Sequence, residues 1–167
     1  LDIDGEAAGD LSGGSVSLSS DGSRMAIGAR FNDGNGSAGH VRVYEWDGVN
    51  WQQLGLDIDG EASFDESGGS VSLSSDGSRM AIGARGNGDN GNDAGHVRVY
   101  EWDGVNWQQL GLDIDGEAAD DLSGGSVSLS SDGSRMAIGA SYNDGNGNDA
   151  GHVRVYEWDG VNWQQLG

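Results

Sequence analysis

The chain of 167 residues contains no cysteine, no proline, no lysine and no threonine. Without cysteine there is no disulfide framework and no thiolate chemistry. Four missing residue types beside near-identical internal copies point to deliberate idealisation more than to recent gene amplification. Positive charge is scarce. Eight arginines supply all of it against 28 carboxylates, for a net charge of −20. Such a surface repels phosphate, so nucleic acid and anionic membranes are excluded as partners; its ordinary role is solubility. No apolar run approaches the roughly 20 residues that a membrane span needs. The opening LDIDGE has neither the basic nor the apolar region of a signal peptide, so none is expected there. No segment shows a helical period, and the 32 glycines argue against long helices.

What is present is one unit written three times, at residues 1–55, 56–111 and 112–167. Its core, GGSVSLSSDGSRMAIGA, starts at Gly13, Gly68 and Gly124. A variable Asn/Asp/Gly loop follows, then GHVRVYEWDGVNWQQLG. A fixed period of this kind marks a stacked or radial repeat, in which no single copy buries a core alone. Within the first copy, Ser15 to Ser19 alternates as a strand (A). Asp21-Gly22 is a hairpin signal before strand B, Arg24 to Ala29. Strand C runs from His40 to Trp46, with Val41 and Val43 opposed to Arg42, Tyr44 and Trp46. Asp47-Gly48 turns into strand D, Asn50 to about Leu56.

Each copy is thus expected to be a four-stranded antiparallel meander. Neither face of its sheet is polar, so both faces call for cover. Radial packing as β-propeller blades supplies it. The small side chains of strand A suit the crowded axis, and the bulky Trp51 and Tyr44 suit the outer strands. A β-solenoid fits less well, because its rungs are parallel and two tight hairpins per unit require antiparallel pairing. The fold class expected is all-β: a propeller fragment of three blades.

The pattern G-S-V-S-L-S-x-D-G-x-x-x-A-I-G-A, a loop, then G-H-V-R-V-Y, resembles the FG-GAP repeat of integrin-α-type β-propellers over about two thirds of each unit. The near-identity of the copies also resembles computationally designed symmetric propellers with eight or nine blades. The integrin pattern implies a D-x-N-x-D-G calcium loop between strands A and B. Here that turn is only Ser20-Asp21-Gly22-Ser23 and its two counterparts. One carboxylate cannot supply the six to eight oxygens that calcium takes.

The copies differ in two places. In the D–A connection, Ala8-Gly9-Asp10-Leu11 corresponds to Ser63-Phe64-Asp65-Glu66 and to Ala119-Asp120-Asp121-Leu122. In the B–C loop, Arg30-Phe31 corresponds to Arg85-Gly86 and to Ser141-Tyr142. Both connections leave an up-and-down blade on one rim, so Arg30, Phe31, Phe64, Arg85 and Tyr142 are the candidates for binding by variable loops on a rigid scaffold. The A–B and C–D turns on the other rim do not vary.

Candidate chemistry is sparse. His40, His96 and His152 open strand C, too far from the axis to converge on one metal, and are expected to be satisfied by loop carbonyls. Asp2, Asp4 and Glu6, with Asp57, Asp59, Glu61 and Asp113, Asp115, Glu117, form D-x-D-G-E motifs. Carboxylates two apart can present oxygens to Ca2+, and the same motif also reads as an Asp-Gly turn with solvated charges. The pairs Asn32-Asp33, Asp89-Asn90 and Asn143-Asp144 are weaker cation candidates. Arg42, Arg98 and Arg154 share a face with Tyr44, Tyr100 and Tyr156, which suggests stacking.

No residue set supports an enzyme, and no cofactor is implied beyond the calcium option. The expected function is a non-catalytic scaffold that closes its ring with copies of itself. The expected closure is a homotrimer with nine blades, and the alternative is a homodimer with six. The ends would expose Val16, Ile27, Val43 and their counterparts, and Leu1–Ile3 would reach back onto strand D of the preceding chain. The alternative is an FG-GAP-like binding module using the variable rim for a protein, a glycan or Ca2+. The FG-GAP resemblance implies an extracellular site, and idealisation implies a soluble recombinant protein.

Overall fold

The computed structural model describes residues 2–167, and of Asn35 the backbone only. Leu1, part of the expected Leu1–Ile3 arm, lies outside the described residues. In the first copy, β1 (Ser15–Leu18), β2 (Arg24–Ala29), β3 (His40–Trp46) and β4 (Trp51–Gln53) form an antiparallel meander in that order. The second copy repeats it with β6 (Ser70–Leu73), β7 (Arg79–Ala84), β8 (His96–Trp102) and β9 (Trp107–Gln109). The third does so with β11 (Ser123–Leu129), β12 (Arg135–Ala140), β13 (His152–Trp158) and β14 (Trp163–Gln165). Apart from a single 3-10 turn at Asp33–Asn35, the described residues hold no helix. These are β-propeller blades: three four-stranded antiparallel sheets packed face on face.

Strand D departs from the expectation. It stops at Gln53, and a separate pair, β5 (Ile58–Asp59), returns to strand C with His40 opposite Asp59 and Val41 opposite Ile58. β10 (Ile114–Asp115) does the same on β8. The break falls at Gly55, where φ is +82° and an added Cβ would sit 3.0 Å from Trp102 and 3.1 Å from Trp107 of the next blade. The chain swings out over that tryptophan pair, which only glycine permits at this angle. Each of the first two blades therefore ends in a linker that pairs a second time with its own strand C before entering the next blade.

The core lies between blades. Ala26, Val41, Val43 and Ile58 from the first blade pack against Leu73, Met80, Ile82 and Tyr100 from the second. Ala81, Val97, Val99 and Ile114 meet Met136, Ile138 and Tyr156 in the same way. The pairing explains which face goes where. Val16, Ile27 and Arg42 share one face, and Ala26 shares the other with Val43. One face of each blade always meets the opposite face of the next.

Of the expected end surfaces, Val16 and Val155 are exposed, whereas Ile27, Val43 and Ile138 are not. Val43 is 1% exposed, because it fills the first seam, and Ile27 is 6% exposed. The exposed apolar side chains at the ends are Val16 (61%) and Leu18 (57%) on the first blade, and Val153 (66%) and Val155 (38%) on the third. The counterparts of the last two, Val41 and Val43, are buried.

Candidate functional site

The A–B turns use their aspartates as local acceptors. Asp21 Oδ1 accepts from Ser19 Oγ (2.7 Å), the Ser23 amide (2.9 Å) and Ser23 Oγ (2.8 Å), and the other two blades repeat the set. This oxygen serves as a turn hub. The Ser23 amide and the two serine hydroxyls hold its pKa down to about 2.

The acids of one D-x-D-G-E motif do not gather, contrary to the spacing argument. The motif straddles two blades. Asp57 stays beside His40 of the blade that the linker leaves, with Oδ2 4.0 Å from Nδ1. Asp59 is held in β5 by backbone pairing. Glu61 passes on to His96 of the blade that the linker enters, with Oε2 3.8 Å from Nδ1. Each cluster thus takes a glutamate from the incoming linker, a histidine from the start of strand C, and an aspartate from the outgoing linker.

The first cluster is Glu6, His40 and Asp57. The second is Glu61, Asp89, His96 and Asp113, whose ligand atoms all lie within 4.8 Å of one another. In the third blade, His152 Nδ1 is 3.6 Å from Glu117 Oε2. By repeat position, Asp2 is the counterpart of Asp57 and Asp113.

His96 is fully buried, and neither ring nitrogen has a hydrogen-bond partner. The expected loop carbonyl does not satisfy it. Burial, and after it the Arg98 guanidinium, pull its pKa below the ordinary imidazole value; Asp113, Glu61 and Asp65 oppose them. Arg98 is also nearly buried. Its Nη2 donates to Asp59 O (2.7 Å) and its Nη1 lies 3.6 Å from Glu61 Oε1. Gln109 Nε2 donates to Asp113 Oδ1 at 2.6 Å. The expected stacking is present, with Arg98 Cζ 5.7 Å from the Tyr100 ring centre.

A second set of contacts runs along the seams. Ser15 Oγ donates to Gly68 O (2.7 Å), and Ser70 Oγ to Gly124 O (2.8 Å). The Ser20 amide donates to Ser75 O, and the Ser75 amide to Ser131 O. The Leu73 amide donates to Ser17 Oγ, and the Leu129 amide to Ser72 Oγ. Trp107 Nε1 donates to Leu54 O, and Trp163 Nε1 to Leu110 O. These four contacts occur once in each seam, and their matching positions at the two ends are Gly13, Leu18, Ser20 and Trp51 on the first blade and Ser126, Ser128, Ser131 and Leu166 on the third. Where Gly68 packs on Gly28 in the first seam, the third blade has a cleft of about 560 Å³ beside Gly139, Gly151, His152 and Val153.

The variable rim is braced rather than loose. Asp10, Asp65 and Asp121 are buried and accept from Asn32, Asn87 and Asn143 across the two loops. These aspartate–asparagine pairs went unread in the sequence, although they recur at constant spacing inside otherwise changing loops. On this frame, Arg30 Cζ lies 4.8 Å from the Phe31 ring centre, and Arg85 Nε donates to Glu66 Oε2 at 2.9 Å. Phe64 is 74% exposed and Tyr142 is exposed.

No known family model matches the sequence, and no curated protein matches it. Solved structures share its fold at low identity. A Bacteroides fragilis protein provisionally named a 6-phosphogluconolactonase superposes with a TM-score of 0.60 at 12% identity, covering 90% of this chain and 36% of that one. A Bacteroides uniformis protein with the same provisional name gives 0.58 at 14% identity, covering 92% and 39%. Hydrazine synthase from Kuenenia stuttgartiensis gives 0.55 at 12% identity, covering 99% and 38%. The chain spans under two fifths of these structures, and the likeness is one of fold.

Proposed function

We propose that the chain is a non-catalytic β-propeller scaffold whose activity is head-to-tail association with copies of itself. The observation that carries this is the doubled set of seam contacts with complementary halves at the two ends. Exposed Val16 and Leu18 offer the face that covers Val153 and Val155, as Val71 and Leu73 cover Val41 and Val43. A contact of this kind is heterologous, so it closes into a ring or runs on as a filament. Asp4 has the repeat position of Asp59, which would place Ile3–Asp4 of one copy against Val153 and His152 of the next. The expected β-addition is thus to strand C, not strand D. We read closure as a nine-bladed trimer, with the six-bladed dimer as the other closure. The near-identity of the copies supports an idealised origin on an FG-GAP-like pattern.

A second reading has one observation in its favour. Phe64 is a large apolar side chain held out in solvent on a left-handed backbone (φ +71°), among the loops that vary. A rim that binds a protein, a glycan or Ca2+ would use it together with Tyr142 and Arg30.

Native mass spectrometry separates these readings. A mass of three chains is expected. Two chains would replace the nine-bladed ring by the six-bladed one. A stable single chain would end the self-association reading and leave the binding module.

A further inference from the structure

We propose that Glu61, Asp89, His96 and Asp113 bind a divalent transition-metal ion of the zinc class. The clustering of acids alone would not say so, since an acidic protein has many. The second observation is His96. A fully buried imidazole with no hydrogen bond at either nitrogen leaves polar atoms unpaid by any protein group, which native structures rarely tolerate. Its Nδ1 faces Glu61 Oε2 at 3.8 Å, too long for a hydrogen bond. Two ligands of one tetrahedral ion with bonds of about 2.1 Å stand about 3.4 Å apart. The cluster therefore needs small side-chain rotations to close on such an ion.

Charge and orientation agree. Three carboxylates and Arg98 together carry a formal charge of −2, which one divalent ion cancels. Arg98 faces Glu61 Oε1, so Oε2 is the oxygen turned to His96. Gln109 holds Asp113 Oδ1, and the Asp89 amide donates to Asn87 Oδ1, which fixes its loop. Outer partners of this sort orient metal ligands. Glu61 and Asp89 are exposed and Asp113 is half-buried, so an ion reaches His96 from solvent through its carboxylates. The nitrogen decides the class. Imidazole suits zinc and its neighbours, whereas calcium takes oxygen.

Glu6, His40 and Asp57 form a three-ligand version of the site on the first blade. On the third blade, Glu117 and His152 would gain the matching aspartate as Asp2 of a second copy. That last site rests on the self-association reading; the other two do not.

The test is calorimetric titration of untagged, chelator-stripped chain with ZnCl2 and with CaCl2, alongside native mass spectrometry. Zinc is expected to bind and calcium to bind more weakly. Asp113→Asn and His96→Gln should each weaken the tight site by more than the about 10–100-fold that loss of an outer-shell partner costs. His40→Gln should leave that site intact. Asp113→Asn keeps the acceptor for Gln109, so it reports on binding even if His96→Gln fails to fold. No zinc uptake, calcium bound more tightly than zinc, or unchanged zinc affinity in Asp113→Asn would each overturn the proposal. Zinc bound to a chain that stays single supports the site and removes self-association. A multimer that takes up no zinc does the reverse.

Discussion

At the scale of single residues, this protein spends its carboxylates in several ways. Asp21, Asp76 and Asp132 are structural acceptors, and all three have pKa values held below the ordinary range by serine donors and backbone amides. A carboxylate with a depressed folded-state pKa stabilises the fold fully above its unfolded value of about 3.9, and that contribution is lost as pH falls through the folded value. Asp76→Ala should therefore cost about 1 kcal/mol near neutral pH, as loss of a comparable acceptor at a helix N-cap does. Urea denaturation at about pH 2 should show a smaller difference, because the wild-type carboxyl is then losing its advantage. An unchanged difference at both pH values would show that the hub works by shape alone. The buried Asp10, Asp65 and Asp121 play another role, tying the two variable loops together.

At the scale of elements, the linker between blades does most of the organising. It leaves β4, kinks at Gly55, adds β5 to strand C and then hands Glu61 to the next blade. Inner strands approach so closely that glycine is required. A Cβ on Gly83 would collide with the backbone Gly124 O, whereas on Gly139 the collision is with Ser126 Oγ, which a side-chain rotation relieves. Gly83→Ala should therefore cost about 1–3 kcal/mol of stability, the usual range for overpacking. Gly139→Ala should leave thermal stability of the isolated chain unchanged. In the self-association reading it should weaken assembly by about 10–100-fold, or about 1.4–2.8 kcal/mol, as sedimentation would measure. Equal destabilisation by both substitutions would mean that the cleft beside Gly139 is not a blade-docking face.

At the scale of the whole molecule, the self-association reading sets apolar ends against like charge. Each chain carries −20, so bringing copies together concentrates negative charge around the ring. Raising salt from about 0.01 M to about 0.1 M shortens the screening length from about 30 to about 10 Å. The assembled fraction should rise across that range, read by light scattering at fixed protein concentration. Dissociation on adding salt would place ionic contacts, rather than Val16, Leu18, Val153 and Val155, at the joint.

The sequence by itself determined the local order of this protein. Alternation in SVSL, RMAIGA and HVRVYEW, with Asp-Gly between them, is a local signal, and β2 and β3 begin and end where it places them. The threefold repeat likewise implied sheets that must cover one another. Only the tertiary structure decided what the linker does. Asp57 and Glu61 are four residues apart, yet they serve different histidines, because β5 pairs with strand C between them. It also decided which valines end up in water. Val43 and Val155 are the same letter in the same motif, and whether each is buried depends on a neighbouring blade that no local pattern contains.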